Sequence, residues 1–289
     1  EASREGAKKA KSLFESAKKG YMGILSNNYY IDLIQPTDFH YLNDPLPDTV
    51  ALTPAEKQRI LGGEATMWAE LVTPETIDSR IWPRTAAIAE RFWSPSSVKD
   101  VNSMYERLRT ISFQLEDLGL MHIKNQAMML RRLTNNNCTK AVKTLIDYVE
   151  PVKIYTRHSQ GVKYTSYSPY TRFVDAALPD ADKAREFRKA VDLLIGGNQS
   201  AQIKEIKSIL TMLKDNHSEF QKTSALSPIL KEIEPLSENL SKLSEAGLMA
   251  LEAIEKGKSI TGDKQTQLLQ ICKDTKKPYG QVEIMLITA

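Results

Sequence analysis

The sequence predicts an α/β segment followed by an all-α domain, and three observations lead there. In roughly the first 134 residues, amphipathic helices alternate with short apolar runs of strand length. Proline- and glycine-bearing turns separate those runs. Beyond about residue 135 the β-branched strand runs nearly vanish and long amphipathic stretches take over. A chain of 289 residues accommodates two ordinary domains. The boundary is therefore expected between residues 1–134 and 135–289.

The elements follow in order. Residues 4–19, EGAKKAKSLFESAKKG, put Ala7, Ala10, Leu13, Phe14 and Ala17 at helical spacing and end at Gly20, a natural C-cap residue. YMGILS is a short apolar run that leads into NNYYIDLI, where aromatics and an acid stand at the mouth of a strand. Residues 35–56 hold QPTD, NDPLPD and LTPAE, the composition of a loop or a set of short surface turns. A connector of that length inside a compact domain is usually functional.

LGGEATMWAELV is a second strand-like run. Residues 77–92 then form a helix with Ile81, Thr85, Ile88, Ala89 and Phe92 on one face and Pro83 near its first turn. A further helix spans 100–118 and closes on Gly119. In the second half, helices are expected near 138–149, 170–177, 181–195, 199–220, 226–256 and from 263 to the end, the last interrupted near Pro278. Their apolar residues recur as in Ile203, Ile206, Ile209, Leu210 and Leu213, which predicts an antiparallel bundle.

Composition excludes several classes. Apolar residues make up 41% and charged residues 26%, the balance of an ordinary globular chain. A net charge of +3, with lysines interleaved with acids, argues against a nucleic-acid surface. No run reaches the roughly 18 apolar residues of a spanning helix, and the opening EASREGAKKAKS has no secretory core. The chain opens on Glu1 within a helical pattern, from which a preceding segment is expected to have been cut away. Cys138 and Cys272 lack CxxC partners, so no metal site is expected; a disulfide between them is possible but unsupported. No cofactor is expected.

Chemistry is expected at the two strand ends, because ligand-binding groups in parallel α/β barrels gather where strands finish. The first offers Tyr29, Tyr30 and Asp32. The second offers Trp68 and Glu70, two apart and therefore on one side of an extended strand. An indole face stacks on the apolar face of a pyranose while a carboxylate accepts hydrogen bonds from its hydroxyls. Spacing alone leaves open that each pair is structural.

The string GGEATMWAELVTPETIDSRIWPRTAAIAERFWS resembles the last barrel strand and helix of family 20 glycoside hydrolases, and GILSNNYYIDL resembles the strand before it, which ends in Tyr-x-Asp. The resemblance covers roughly residues 1–120. It implies that the first segment is the C-terminal part of a (β/α)8 barrel and that the parent protein is an exo-β-N-acetylhexosaminidase acting on N-acetylhexosamine-containing glycans, in a periplasmic or extracellular setting. By the same resemblance Tyr30 donates its hydroxyl to the N-acetyl oxygen, Asp32 and Glu70 accept from ring hydroxyls, and Trp68 walls the subsite. In that family the substrate's own acetamide attacks the anomeric carbon while an Asp-Glu pair orients it and protonates the leaving group, an exception to two-carboxylate hydrolysis. The H-x-G-G-D-E segment that carries this pair is absent from the chain. The chain by itself is therefore expected to lack catalytic residues and to be inactive.

Other residues receive plainer readings. Glu64 is expected to be a buried ion-pair partner near Arg80 and Arg84 rather than an acid catalyst. Trp82 and Trp93 are expected to pack, and His40 to be a solvated loop histidine. His122, His158 and His217 stand at no metal-ligand spacing. Residues 155–173, YTRHSQGVKYTSYSPYTRF, could contact carbohydrate or an adjoining domain, although a linker pinned between barrel and bundle is the favoured reading. The rival to the glycosidase is a non-catalytic helical module that binds carbohydrate or protein. Strands taken from a closed barrel would expose unpaired edges, so self-association or a disturbed N-terminal region is expected.

Overall fold

The computed structural model describes residues 10–160, 163–197 and 199–286. Contacts divide the chain into two units that meet between Lys124 and Asn125.

The first unit opens with helix α1, Lys11–Lys18, whose Phe14 and Ala17 are buried. Residues 4–9 of the expected helix lie outside the described residues. Strand β1 is Gly23–Leu25 and pairs in parallel with β2, Ile60–Gly63, with Ile24 opposite Gly62 and Leu25 opposite Gly63. The strands are shorter than the apolar runs that announced them. Asn28 adopts φ 72° inside a turn, which ends β1 before Tyr30 is reached. Tyr30 rejoins the second segment only through an isolated parallel bridge to Thr66.

Residues 35–56 are more ordered than a surface loop. They contain α2, Thr37–Leu42, and α3, Pro54–Lys57, the latter started by a capping box between Thr53 and Glu56. Thr37, His40 and Tyr41, at i, i+3 and i+4, turn inward and are buried. The expected helix over 77–92 is two helices, α4 (Ile77–Ile81) and α5 (Arg84–Trp93). Pro83 explains the break: it has no N–H to give, and Trp82 before it is forced to extended φ/ψ of −106° and 153° across a cis bond. Helix α6, Val101–Asp117, is capped by the Asp100 side chain on the Ser103 amide, at 3.1 Å.

Two apolar clusters hold this unit. Phe14, Leu25, Tyr29, Ile31 and Ile88 form one, and Tyr41, Ala87, Met104 and Leu108 the other. A fully buried side chain of this size contributes about 2 kcal/mol.

The second unit contains α7 (Lys124–Leu133), which the periodicity did not announce, then α8 (Lys140–Ile146), β3 (Val149–Pro151), α9 (Thr156–Ser159), α10 (Phe173–Ala176), α11 (Asp182–Ile195), α12 (Gln199–Leu226), a 3-10 turn at Pro228–Ile233, α13 (Glu234–Glu255), α14 (Asp263–Asp274) and β4 (Val282–Ile284). One continuous core runs through it, with Leu145, Phe173, Leu213, Phe220, Leu236 and Val282 among its buried members.

This unit is not purely helical. The C-terminal segment does not resume a helix after Pro278; Gly280 (φ 52°) and Gln281 (φ 67°) turn it into β4, which pairs antiparallel with β3. Both cysteines are free thiols. No described helix is long and apolar enough to cross a membrane.

Candidate functional site

The pairing of the two strand ends builds the site. Beyond β1 and β2 the two segments continue side by side through Thr66 N–H to Tyr29 O and Ile31 N–H to Thr66 O, both 2.9 Å. This places Tyr30 beside Thr66, two residues before Trp68. The chain after Tyr30 then coils into a 3-10 turn, Ile31–Leu33, so Asp32 is not the next same-side residue of a strand. Trp68 and Glu70 likewise lie past the end of β2. The period-two argument therefore fails at both ends, yet the Trp68 amide and the Glu70 carboxylate still act on the Asp32 carboxyl.

The Asp32 carboxyl marks the meeting point. Burial raises its pKa above the usual carboxylate value, and the Glu70 carboxylate adds to the rise; the backbone amides of Asp32 and Trp68 and the Arg84 guanidinium oppose it. Its Oδ1 is buried and has no hydrogen-bond partner among the described residues. Such an acceptor is costly to leave unmatched and is suited to a hydroxyl donor. The Trp68 side chain is 57% exposed, Glu70 is exposed and Tyr30 half-buried. The arrangement thus combines an open aromatic face with two carboxylates, one sunk and one free.

Arg84 supports this turn through its backbone carbonyls. Only 2% exposed, it donates to Gln35 O at 2.6 Å and Ile31 O at 2.9 Å, and also to Arg80 O. Gly63 supports it from the strand: a Cβ there would lie 2.5 Å from Phe92 Cζ, and Phe92 in turn packs edge-on to Tyr29 at 4.7 Å. The Tyr29 hydroxyl donates to Asn43 O at 2.7 Å, and burial drives its pKa well up. Tyr29 is a wall of the core and not an open site residue.

Several plainer readings need correction. Glu64, just past the end of β2, is exposed and not buried, and accepts from Ser26 Oγ. Trp93, at the end of α5, is 93% exposed and does not pack. His40 is fully buried; its Nδ1 lies 2.8 Å from Asn28 O, and its ring stacks with Tyr29. The signal for His40 was the i, i+3, i+4 spacing of Thr37, His40 and Tyr41, hidden by the surrounding prolines. Also unannounced was the ion pair of Glu90 with Arg107, which ties α5 to α6 and takes the Tyr41 hydroxyl at 2.8 Å. Among the described residues no group of histidine, cysteine and carboxylate side chains could hold a metal.

Residues 7–96 match the family model described as glycosyl hydrolase family 20, catalytic domain. Over that stretch the chain is similar to glycoside hydrolase family 20. Curated relatives include the β-hexosaminidase subunit beta of Mus musculus, 39% identical over 104 residues that make up 35% of this chain and 19% of that one. The β-hexosaminidase subunit A1 of Dictyostelium discoideum is 36% identical over 108 residues, 35% of this chain and 20% of that one. A crystal structure of the Flavobacterium johnsoniae chitobiase is 41% identical with a TM-score of 0.86, covering 96% of this chain and 42% of that one. The chain thus spans about a fifth of the curated relatives and less than half of the chitobiase. The chitobiase likeness extends well beyond the family-model match, over nearly all of the described helical unit. A helix-rich chain with a short parallel sheet fits part of a barrel joined to a helical domain.

Proposed function

We propose that this chain is part of an exo-β-N-acetylhexosaminidase that releases terminal N-acetylhexosamine from glycans, and that Tyr30, Asp32, Trp68 and Glu70 form one wall of its sugar subsite at the closing end of a (β/α)8 barrel. The observation that carries the reading is the convergence of the half-buried Asp32 carboxyl, whose Oδ1 is buried, with the Trp68 backbone and the Glu70 carboxylate. Asp32 and Glu70 accept from ring hydroxyls, the exposed Trp68 ring covers the apolar face of the sugar, and Tyr30 holds the acetamido oxygen.

Catalysis is assigned to the substrate's own acetamide, oriented and protonated by an Asp-Glu pair that this sequence does not contain. A polypeptide of this sequence alone binds hydroxyls without an acid and without an oriented acetamide, so it does not turn over. The decisive experiment joins the chain to an upstream segment with that pair and follows release of chromophore from a chromogenic N-acetylglucosaminide. Turnover that falls at least about a hundredfold in Glu70→Ala, with folding unchanged, is the expected result. A folded, inactive full-length protein overturns the assignment.

A further inference from the structure

Four of the chain's eleven tyrosines, Tyr155, Tyr164, Tyr167 and Tyr170, fall within sixteen residues of the second unit, and all four are exposed. Single exposed rings are ordinary, but a cluster on one anchored segment is not. The described residues of this stretch, 155–160 and 163–173, fall in the second unit, beyond the boundary at Lys124, and so do not link the two units as the sequence suggested.

The segment is held by a buried polar knot. Arg157, 4% exposed, donates to Gln281 Oε1 at 2.7 Å, to Asp175 Oδ1 at 3.1 Å and to the Tyr164 hydroxyl at 3.1 Å. Tyr164 itself donates to Gln281 Oε1 at 2.7 Å. Beyond this anchor a turn closes through Ser168 N–H to Thr165 O (3.0 Å) and Thr165 N–H to Ser168 Oγ (2.9 Å). Tyr167 stands at the corner of that turn, 95% exposed. Tyr170 is 54% exposed and lies under the Arg132 guanidinium, 5.7 Å from the ring centroid.

From these features we infer that Tyr167 and Tyr170 form an auxiliary contact for a glycan chain in the second unit, apart from the Trp68 wall. The inference rests on the proposed glycan substrate. Residues 163–170, KYTSYSPY, offer rings, hydroxyls and one ammonium, with Pro169 but no Leu, Ile, Val or Met among them. A protein interface draws its core from mixed aromatic and aliphatic groups, whereas a pyranose presents an apolar face rimmed by hydroxyls. A turn fixed by hydrogen bonds and a guanidinium-stacked ring also loses little freedom on binding.

The test uses the full chain in affinity electrophoresis through gels containing soluble glycol chitin, with calorimetry against N-acetylglucosamine and its linear tetramer. Tyr167→Ala and Tyr170→Ala should together weaken retardation by glycol chitin about tenfold. Tyr167→Phe should restore it, and unchanged thermal melting should accompany all variants. Retardation that is unaffected by the tyrosine changes overturns the inference. If that retardation is lost only in Glu70→Ala, the inference falls while the Trp68 site stands. If retardation persists in Glu70→Ala and is lost in the tyrosine variants, the auxiliary contact stands and the Trp68 site is in question. Sedimentation in which the tyrosine variants convert a dimer to a monomer, with no change in retardation, assigns the patch to a second copy of the chain and likewise overturns it.

Discussion

The Arg84 guanidinium donates to the carbonyl of Ile31 at 2.9 Å, gripping the turn that carries Asp32. The same group reaches Gln35 O at 2.6 Å, so one buried side chain spans both flanks of the turn. A guanidinium does this because its fork holds several donors in fixed geometry.

Arg84→Ala should therefore leave buried carbonyls without donors and destabilise the first unit by about 3 kcal/mol. Arg84→Lys should recover only part of this, since one ammonium cannot reproduce the fork. Urea unfolding checks the magnitude, and amide exchange at residues 29–34 checks the place. Equal protection in wild type and Arg84→Ala would refute the positioning role.

Gly63→Ala should cost about 1–3 kcal/mol, because the added methyl meets Phe92 at 2.5 Å and the Leu25 carbonyl at 3.1 Å. Phe92→Leu in the Gly63→Ala background should return part of the loss by vacating the space. A double-mutant cycle in denaturant reads the coupling, and strict additivity would contradict the packing described.

Glu150 and Glu283 face each other across β3 and β4, and burial raises the pKa of both, with Lys153 opposing. Each holds its proton more tightly folded than unfolded. Their stabilisation is therefore complete below the ordinary carboxylate pKa and is lost as pH rises through the raised values. Protection factors of the β3–β4 amides should fall over that window, and Glu283→Gln should flatten part of the dependence. A profile identical in wild type and variant would count against the pair.

The outer faces of β1 and β2 expose Ile24 (52%) and Leu61 (60%), with Tyr21 and Met22 beside them. An exposed apolar strand face associates readily. The chain in solution is expected to self-associate with concentration, and Ile24→Lys with Leu61→Lys should shift it toward monomer. Light scattering that finds a monomer at all concentrations disposes of this expectation.

Much of the site was legible because its residue types lie in short strings. Tyr30, Asp32, Trp68 and Glu70 were readable from two local motifs, and their side-chain chemistry needs no fold to be recognised. How they meet was not readable. Strand periodicity predicted same-side pairs, but the Asn28 turn and the 3-10 turn at Ile31–Leu33 replaced extended backbone with coiled backbone. His40 and Glu64 were misread for a related reason: burial depends on what packs from elsewhere in the chain, and neither a loop composition nor a neighbouring Gly-Gly reports it.

What the sequence determined by itself is the alternation of helix and strand, the helical character of the second half and the chemistry of the candidate residues at the strand ends, all consequences of local spacing and side-chain type. Only the tertiary structure decided that Pro83 divides one helix into two, that the C-terminal segment returns as β4 beside β3, and that Asp32 is sunk while Glu70 is open. These depend on contacts between residues far apart in the chain, such as Arg84 with Ile31 and Val149 with Ile284, whose free energy no local window contains.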